Sequence, residues 1–461
     1  MVVQESFRRY LEEAIGSGNA LVAFSAFDDP AKVSVRANPF KRAHSFIGKP
    51  VPWNMHGLML EERPNFTLDP CLHAGAYYVQ DSSSMFVGHV FRKVLSGMDV
   101  PSGRIVRVLD LCAAPGGKST DLAASLRERF GDRFLLVTNE VMKQRAGILA
   151  DNMALWGDPN VVVTSDDPRA FASLPGFFDI VLADVPCSGE GMFRKDEEAV
   201  RQWSEDAVSL CASRQKRIIA DMWPCLRTGG TLIYSTCTFN RYENDLNVSW
   251  IAEELGAGID KPSESLCLAG VLATEHGYSL VPGLVEGEGQ YCASMVKTSD
   301  VEYQPVVSMK RGGNMSSRKA VQTPVPESLG KLFDVKVKLR LKGETVTAVP
   351  ENISAEVSAV EAVLHVIAAG TAVGVLKGKD LVPDADLALS IIFREDSYPY
   401  ADVDRQTALE FLHKDPILLT DKDKGYHVIR YEGLPLGFVK NLGNRCNNLH
   451  PQARRIRMDI K

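Results

Sequence analysis

Several features that would point to a common function class are missing from this chain. Its nine cysteines stand singly. With no CxxC pair and no histidine cluster at ligand spacing, neither a zinc site nor a disulfide framework is expected. No apolar run is long enough to span a bilayer. The leading segment MVVQESFRRYLEEAIG lacks the apolar stretch and small-residue cleavage site of a signal peptide. These absences lead to an expectation of a cytoplasmic protein with reduced thiols, no metal and no membrane partner. The dinucleotide fingerprint GxGxxG is absent as well. GKST (Gly117 to Thr120) superficially suggests a phosphate loop, but the first glycine of a Walker motif is replaced by Cys112.

A basic excess is also lacking. The net charge of −6 speaks mildly against a polyanion as partner. The C-terminus differs, because Lys440, Arg445, Arg454, Arg455, Arg457 and Lys461 face little acid there. Such a stretch is either a solvated surface or a contact for nucleic-acid backbone.

A chain of 461 residues is too long for one core. From Arg104 to about Lys297, apolar runs (RIVRVLDLC, RFLLVTNE, NVVVTSDD, FFDIVLADVPC, GGTLIYSTC) alternate with helical patterns. Strands this apolar, separated by helices, predict an α/β fold: a mostly parallel, Rossmann-like sheet buried on both faces, with seven strands expected. The predicted organisation is an N-terminal α+β subdomain (1–100), this core (101–298), a polar Pro/Gly/Ser-rich linker (299–326), an α+β lobe (327–395) and a terminal lobe (396–461).

In parallel sheets of this kind, ligands lie outside the carboxyl ends of the strands. The informative residues fall there: Asp110, Glu140, Asp167, Asp184, Cys187 and Cys237. CAAPGGKST (Cys112 to Thr120) joins the first strand to a helix. Its small residues Cys112, Ala113, Ala114, Pro115, Gly116 and Gly117, followed by Lys118, let a ligand approach the backbone and the helix N-terminus. Glu140 ends the second strand, where a carboxylate can accept from both hydroxyls of a ribose. Asp167 ends the third, within reach of an adenine edge, and Arg145 is placed in the same set. Taken alone, each acid reads as a helix cap or turn residue. In register with the loop, they favour S-adenosylmethionine as cofactor.

Two thiols complete the pattern, Cys187 after Pro186 and Cys237 after Thr236, on strands expected to be neighbours. Cysteines such as Cys211, Cys225 and Cys267 read as buried filler. Carbon 5 of cytosine is a poor nucleophile until a thiolate adds to carbon 6, and only the thiolate is competent for that addition. Hydrogen bonding at N3 of the base stabilises such an adduct, a task suited to Asp184.

CAAPGGKST, DVPCSGEGMFRKD and STCTFNRYEND together closely resemble the motifs of the NOL1/NOP2/Sun family of RNA cytosine-5 methyltransferases. The resemblance runs from about Arg63 to Lys297. It implies that Cys237 is the nucleophile and that Cys187 helps to release the product. DNA cytosine-5 methyltransferases use the Pro-Cys thiol as nucleophile instead, so Cys237 separates the two classes and DNA is not expected as partner. The segment Arg63 to Met85 and the ending Tyr431 to Met458 resemble the bacterial small-subunit rRNA branch. This implies 16S rRNA as substrate and a PUA-like RNA-docking terminal lobe. A monomer is expected, because nothing in the sequence demands more. The chain departs from that branch at Gly283, where a histidine is expected, and at Asn447 and Asn448, where Lys-Asn is usual. A tRNA substrate, or a ribosome-assembly role resting on RNA binding, are the competing expectations.

Overall fold

The computed structural model describes residues 3–42, 46–299, 325–378 and 380–460. Most of the expected linker therefore lies outside the described residues. The core alternates strand and helix as expected: β1 (Val106–Asp110), α1 (Gly117–Phe130), β2 (Phe134–Asn139), α2 (Lys143–Trp156), β3 (Val161–Thr164), β4 (Phe178–Asp184), α3 (Glu205–Met222) and β5 (Leu226–Thr236). These five strands run parallel in the order β3-β2-β1-β4-β5, and the antiparallel β6 (Gln290–Lys297) follows beside β5.

Successive residues of one strand serve different cores, as the twofold alternation of side chains requires. Val106 and Val108 join Phe134, Leu136, Ile180, Leu182 and Ile233 on one face. Leu109 joins Leu135, Val137, Val181, Ala183 and Leu232 on the other. Burial on both faces explains the uninterrupted apolar runs. Because β2 and β3 lie on one side of β1 and β4 and β5 on the other, strand order reverses between β1 and β4. That crevice is where such sheets bind ligands.

The sheet carries ten strands rather than the seven expected. The additions include Ala257–Ile259, Leu272–Ala273 and Tyr278–Leu280, which are too short to leave a period-two pattern. Another, β7 (Val366–Ala369), comes from the stretch read as the α+β lobe. It pairs antiparallel with β3 and closes that edge of the sheet. Sequence periodicity within a segment carries no information about such a distant partner.

The N-terminal subdomain comprises helices Glu5–Ile15 and Ser17–Ala26 and a four-stranded antiparallel sheet. Phe7, Tyr10 and Phe27 form a cluster with Phe193, Trp203 and Phe239, so these helices brace the two thiol-bearing loops. The terminal lobe is a four-stranded sheet (Tyr400–Asp402, Gly425–Tyr431, Leu434–Asn441, Cys446–Asn448) with helix Arg405–His413. It shares one apolar core with the N-terminal subdomain, in which Val35, Phe66 and Tyr77 meet Leu409, Phe411 and Ile429. Among the described residues, no helix is long and apolar enough to cross a membrane.

Candidate active site

The loop after β1 is held in place by its surroundings. Gly116 has φ of +116°, a left-handed conformation that disfavours other residues. A Cβ there would lie 3.2 Å from Leu149, and one on Gly117 would lie 3.2 Å from the Tyr78 ring. Loop carbonyls are engaged by side chains from outside the loop. Arg145 donates to Ala114 O at 2.8 Å, Asn152 to Pro115 O at 2.8 Å, and the buried Arg36 to Gly117 O at 3.1 Å. The backbone is thereby fixed around the start of α1, whose first amides have no partners within the helix. Ser119 donates to Asp110 at 2.7 Å, while the other Asp110 oxygen is buried without a partner. Burial pushes the Asp110 carboxyl up to about 7.

Glu140 is buried at the end of β2, accepts from the Met142 amide at 2.9 Å and pairs with Arg145 at 3.0 Å. An ionised carboxylate offers about four acceptor positions, so capacity for a ribose diol remains. The glycine cradle and this acid fit an adenosyl cofactor. Asp167 sits after β3 as expected, but it is exposed and caps the short helix Pro168–Ser173. Asn139 ties the three strand ends together, donating to Leu111 O and Asp166 O and accepting from Thr164. It gives no sequence signal, since an asparagine ending a strand is ordinary.

The two thiols meet. Cys187 Sγ and Cys237 Sγ lie 3.0 Å apart, both free and both half-buried. The Cys187 thiol is held well above its usual pKa, first by the hydrogen bond with Cys237 and then by burial. Both causes favour the thiol form of Cys187. Cys112 is likewise pushed up, by burial and then by Asp110, Asp184 and Glu140, and reads as part of the loop wall.

Lys118, expected only with the cofactor loop, reaches across the crevice to Asp184 at 2.8 Å. Burial works against its charge. Asp184, with a smaller contribution from Cys237, outweighs that penalty and raises the ammonium above the ordinary lysine pKa. A permanent positive charge thus lies near the Cys237 sulfur. Ser235 donates to the other Asp184 oxygen at 2.8 Å.

Beneath the thiols, each loop supplies a buried glutamate to the other. Glu190, from the Cys187 loop, accepts from the Phe239 and Asn240 amides at 2.7 and 3.0 Å. Glu243, following the Cys237 loop, accepts from the Ser188 amide at 3.0 Å and from Gln215 at 2.7 Å. The Asn240 side chain donates to both carboxylates, at 2.9 Å each. These acids sit inside the quoted motifs, but their reciprocal capping became visible only once β4 and β5 were adjacent.

Burial, then the neighbouring Glu190, pushes Glu243 up to about 7 from 4.5. Between those values the unfolded chain releases its proton first, so this carboxyl lowers stability as pH rises through that window and has a constant effect above it. Glu243→Gln should therefore lose less melting temperature than the parent chain between pH 5 and pH 8. Equal losses in a thermal-shift series would show that Glu243 does not titrate in this way.

Not every expected group belongs to an interaction surface. Arg454 is mostly buried and pairs with Asp151 at 3.0 Å and Asp386 at 2.5 Å, joining the terminal lobe to α2. It is a structural link, whereas Lys440, Arg445, Arg455 and Arg457 stay exposed; Lys461 lies outside the described residues. Asn448 donates to Phe411 O and accepts from the His450 amide, a bracing role within the terminal lobe. Gly283 has φ of +86°, and a Cβ would lie 2.8 Å from that of Ala26. The approach of helix Ser17–Ala26 leaves no room for a histidine there.

Family models match along most of the chain. Residues 103–295 match the 16S rRNA methyltransferase RsmB/F model, residues 4–82 the N-terminal domain of 16S rRNA methyltransferase RsmF, and residues 400–456 the methyltransferase RsmF PUA domain. Ribosomal RNA small subunit methyltransferase F of Enterobacter sp. (strain 638) is 29% identical over 474 residues, covering 97% of this chain and 95% of that protein. The same-named protein of Cronobacter sakazakii is 28% identical over 473 residues, with the same coverage. Among solved structures, NSun6 from Pyrococcus horikoshii with SFG aligns with TM-score 0.53 at 18% identity, covering 64% of this chain and 99% of its own. A methyltransferase homolog from the same organism aligns with TM-score 0.52 at 24% identity, covering 64% and 95%. Both share the fold. With all three domain models matched in order, the chain belongs to the RsmB/F family of S-adenosylmethionine-dependent rRNA methyltransferases and has the RsmF domain layout.

Proposed function

We propose that this protein methylates carbon 5 of a cytosine in 16S rRNA through a covalent adduct on Cys237. The observation that carries the reading is the meeting of the two sulfurs beside the Lys118–Asp184 pair, facing the cofactor loop. S-adenosylmethionine, when bound, supplies an electrophilic methyl group to carbon 5. Cys112 to Lys118, Glu140, Arg145 and Asp167 would form the wall that holds it.

The chain's own residues divide the rest. Cys237, near the Lys118 ammonium, adds as thiolate to carbon 6, which makes carbon 5 nucleophilic. Asp184 offers its remaining acceptor positions to the exocyclic amine beside N3, on the edge of the base where charge builds up in the adduct. Once Cys237 is bonded to carbon it carries no charge and no proton. The first cause holding Cys187 protonated then disappears, so Cys187 can release its own proton to solvent and, as the thiolate, take the carbon 5 proton when a base is needed. Loss of that proton re-forms the double bond and expels Cys237. The target base must be unpaired or flipped out to reach these groups.

Substrate docking is assigned to the N-terminal subdomain (1–100) and the terminal lobe (396–461), which share one core. Both thiols and the cofactor loop come from a single chain, which suits a cytoplasmic enzyme acting as a monomer. Deleting the gene should remove 5-methylcytosine at one 16S rRNA position and leave tRNA unchanged, as read by bisulfite sequencing. Loss confined to tRNA would transfer the same chemistry to tRNA. An unchanged map would defeat the proposal.

A further inference from the structure

Gln290 is the first residue of β6 and is almost fully buried. The register pairs Tyr291 with Thr236 and Cys292 with Ser235, so Gln290 lies one step further along, across from Cys237. Its amide nitrogen donates to Thr236 O at 2.8 Å and to Ser235 Oγ at 2.6 Å. Ser235 in turn donates to Asp184 at 2.8 Å.

The direction of this chain of hydrogen bonds is forced. A backbone carbonyl only accepts, so the NH₂ end of the amide must face Thr236 O. An ionised carboxylate also only accepts, so the single Ser235 hydrogen goes to Asp184. Ser235 must then accept from Gln290. One buried amide thus fixes the carbonyl just before Cys237 and the hydroxyl that aims Asp184.

We infer that Gln290 is a positioning residue for methyl transfer, acting through Ser235 on Asp184 and through the Thr236 carbonyl on Cys237. The inference rests on the roles proposed above for Asp184 and Cys237. Gln290→Glu keeps the size of the side chain but reverses its polarity when ionised. The new carboxylate accepts the Ser235 hydrogen, deprives Asp184 of its donor and repels Thr236 O. Gln290→Met removes both donors and adds no charge.

The test is methylation of 16S rRNA, free and in small subunits, with tritiated S-adenosylmethionine across pH 6 to 9, alongside calorimetric cofactor binding. Gln290→Glu should lower kcat by roughly a hundredfold, the scale of misplacing a reacting group by about an ångström. Its deficit should grow with pH, because the buried carboxyl resists ionisation until the solution becomes alkaline. Gln290→Met should show a smaller deficit that does not vary with pH. Cofactor affinity should stay within about twofold in both, which also reports that they fold. Ser235→Ala should lower kcat as well, and adding Gln290→Glu to it should cost less than in the parent chain.

Equal, pH-independent losses in Gln290→Glu and Gln290→Met, or full additivity with Ser235→Ala, would reduce Gln290 to a packing role. So would kcat within twofold of wild type in both, with binding intact. Absence of methyl transfer by the unmodified protein would instead remove the functional reading itself, and this inference with it.

Discussion

Cys237→Ala abolishes turnover while leaving S-adenosylmethionine affinity within about twofold of wild type. Removing a covalent nucleophile costs on the order of 10⁴-fold or more, because no other group restores the split of one hard step into two. The geometry makes the loss specific. Cys187 is the nearest alternative thiol, at 3.0 Å, but its surroundings hold it protonated, and a thiol is a poor nucleophile. Cofactor affinity survives because the loop from Cys112 to Lys118 is braced by Arg36, Arg145 and Asn152, none of which touches Cys237. Methyl incorporation and calorimetry on the same preparation measure both halves. A variant still turning over near the wild-type rate would mean that Cys187 carries the addition, as in the DNA enzymes. A variant that had lost cofactor binding would mean that the thiol loops and the cofactor loop form one unit.

Much of this site could be read from the chain because its chemistry is local. β1, β4 and β5 are apolar on both faces, so their ends are marked in the sequence by the first polar or turn residues. Asp110, Asp184, Cys187 and Cys237 stand at or just beyond those marks. What could not be read depends on partners far along the chain. Lys118 lies 66 residues before Asp184, and nothing in GKST says that its ammonium turns toward that acid rather than toward a cofactor. The Glu190–Asn240–Glu243 clasp needs β4 and β5 side by side before its reciprocal capping has any meaning. Gln290 carries no motif at all. Its importance arises from the register of β6 against β5.

The same limit explains the misreadings of the outer parts. β7 reads as part of a separate lobe because its four residues, VIAA, contain no trace of the β3 edge they cover. Arg454 reads as a basic surface group because Asp151 and Asp386 are remote in sequence, yet together they hold it as a buried link. Charge counted along a chain says nothing about which charges are already paired.

Cys187→Ala gives the second large effect and the opposite phenotype. Addition by Cys237 needs only that thiolate, so the adduct forms. Release needs the carbon 5 proton removed, and the group placed to take it is gone. Enzyme and RNA should therefore remain covalently joined, and multiple turnover should fall by about 10²-fold or more, the usual contribution of a positioned base. The trap distinguishes the two thiols where a simple loss of activity does not. Cys187→Ala should be expressed in cells, isolated under denaturing conditions, and the RNA still attached sequenced. The account predicts 16S rRNA fragments ending at a single cytosine, and none when Cys237→Ala is added. Free, RNA-less Cys187→Ala protein, from cells in which the wild type still methylates 16S rRNA, would contradict the division of labour between the two sulfurs.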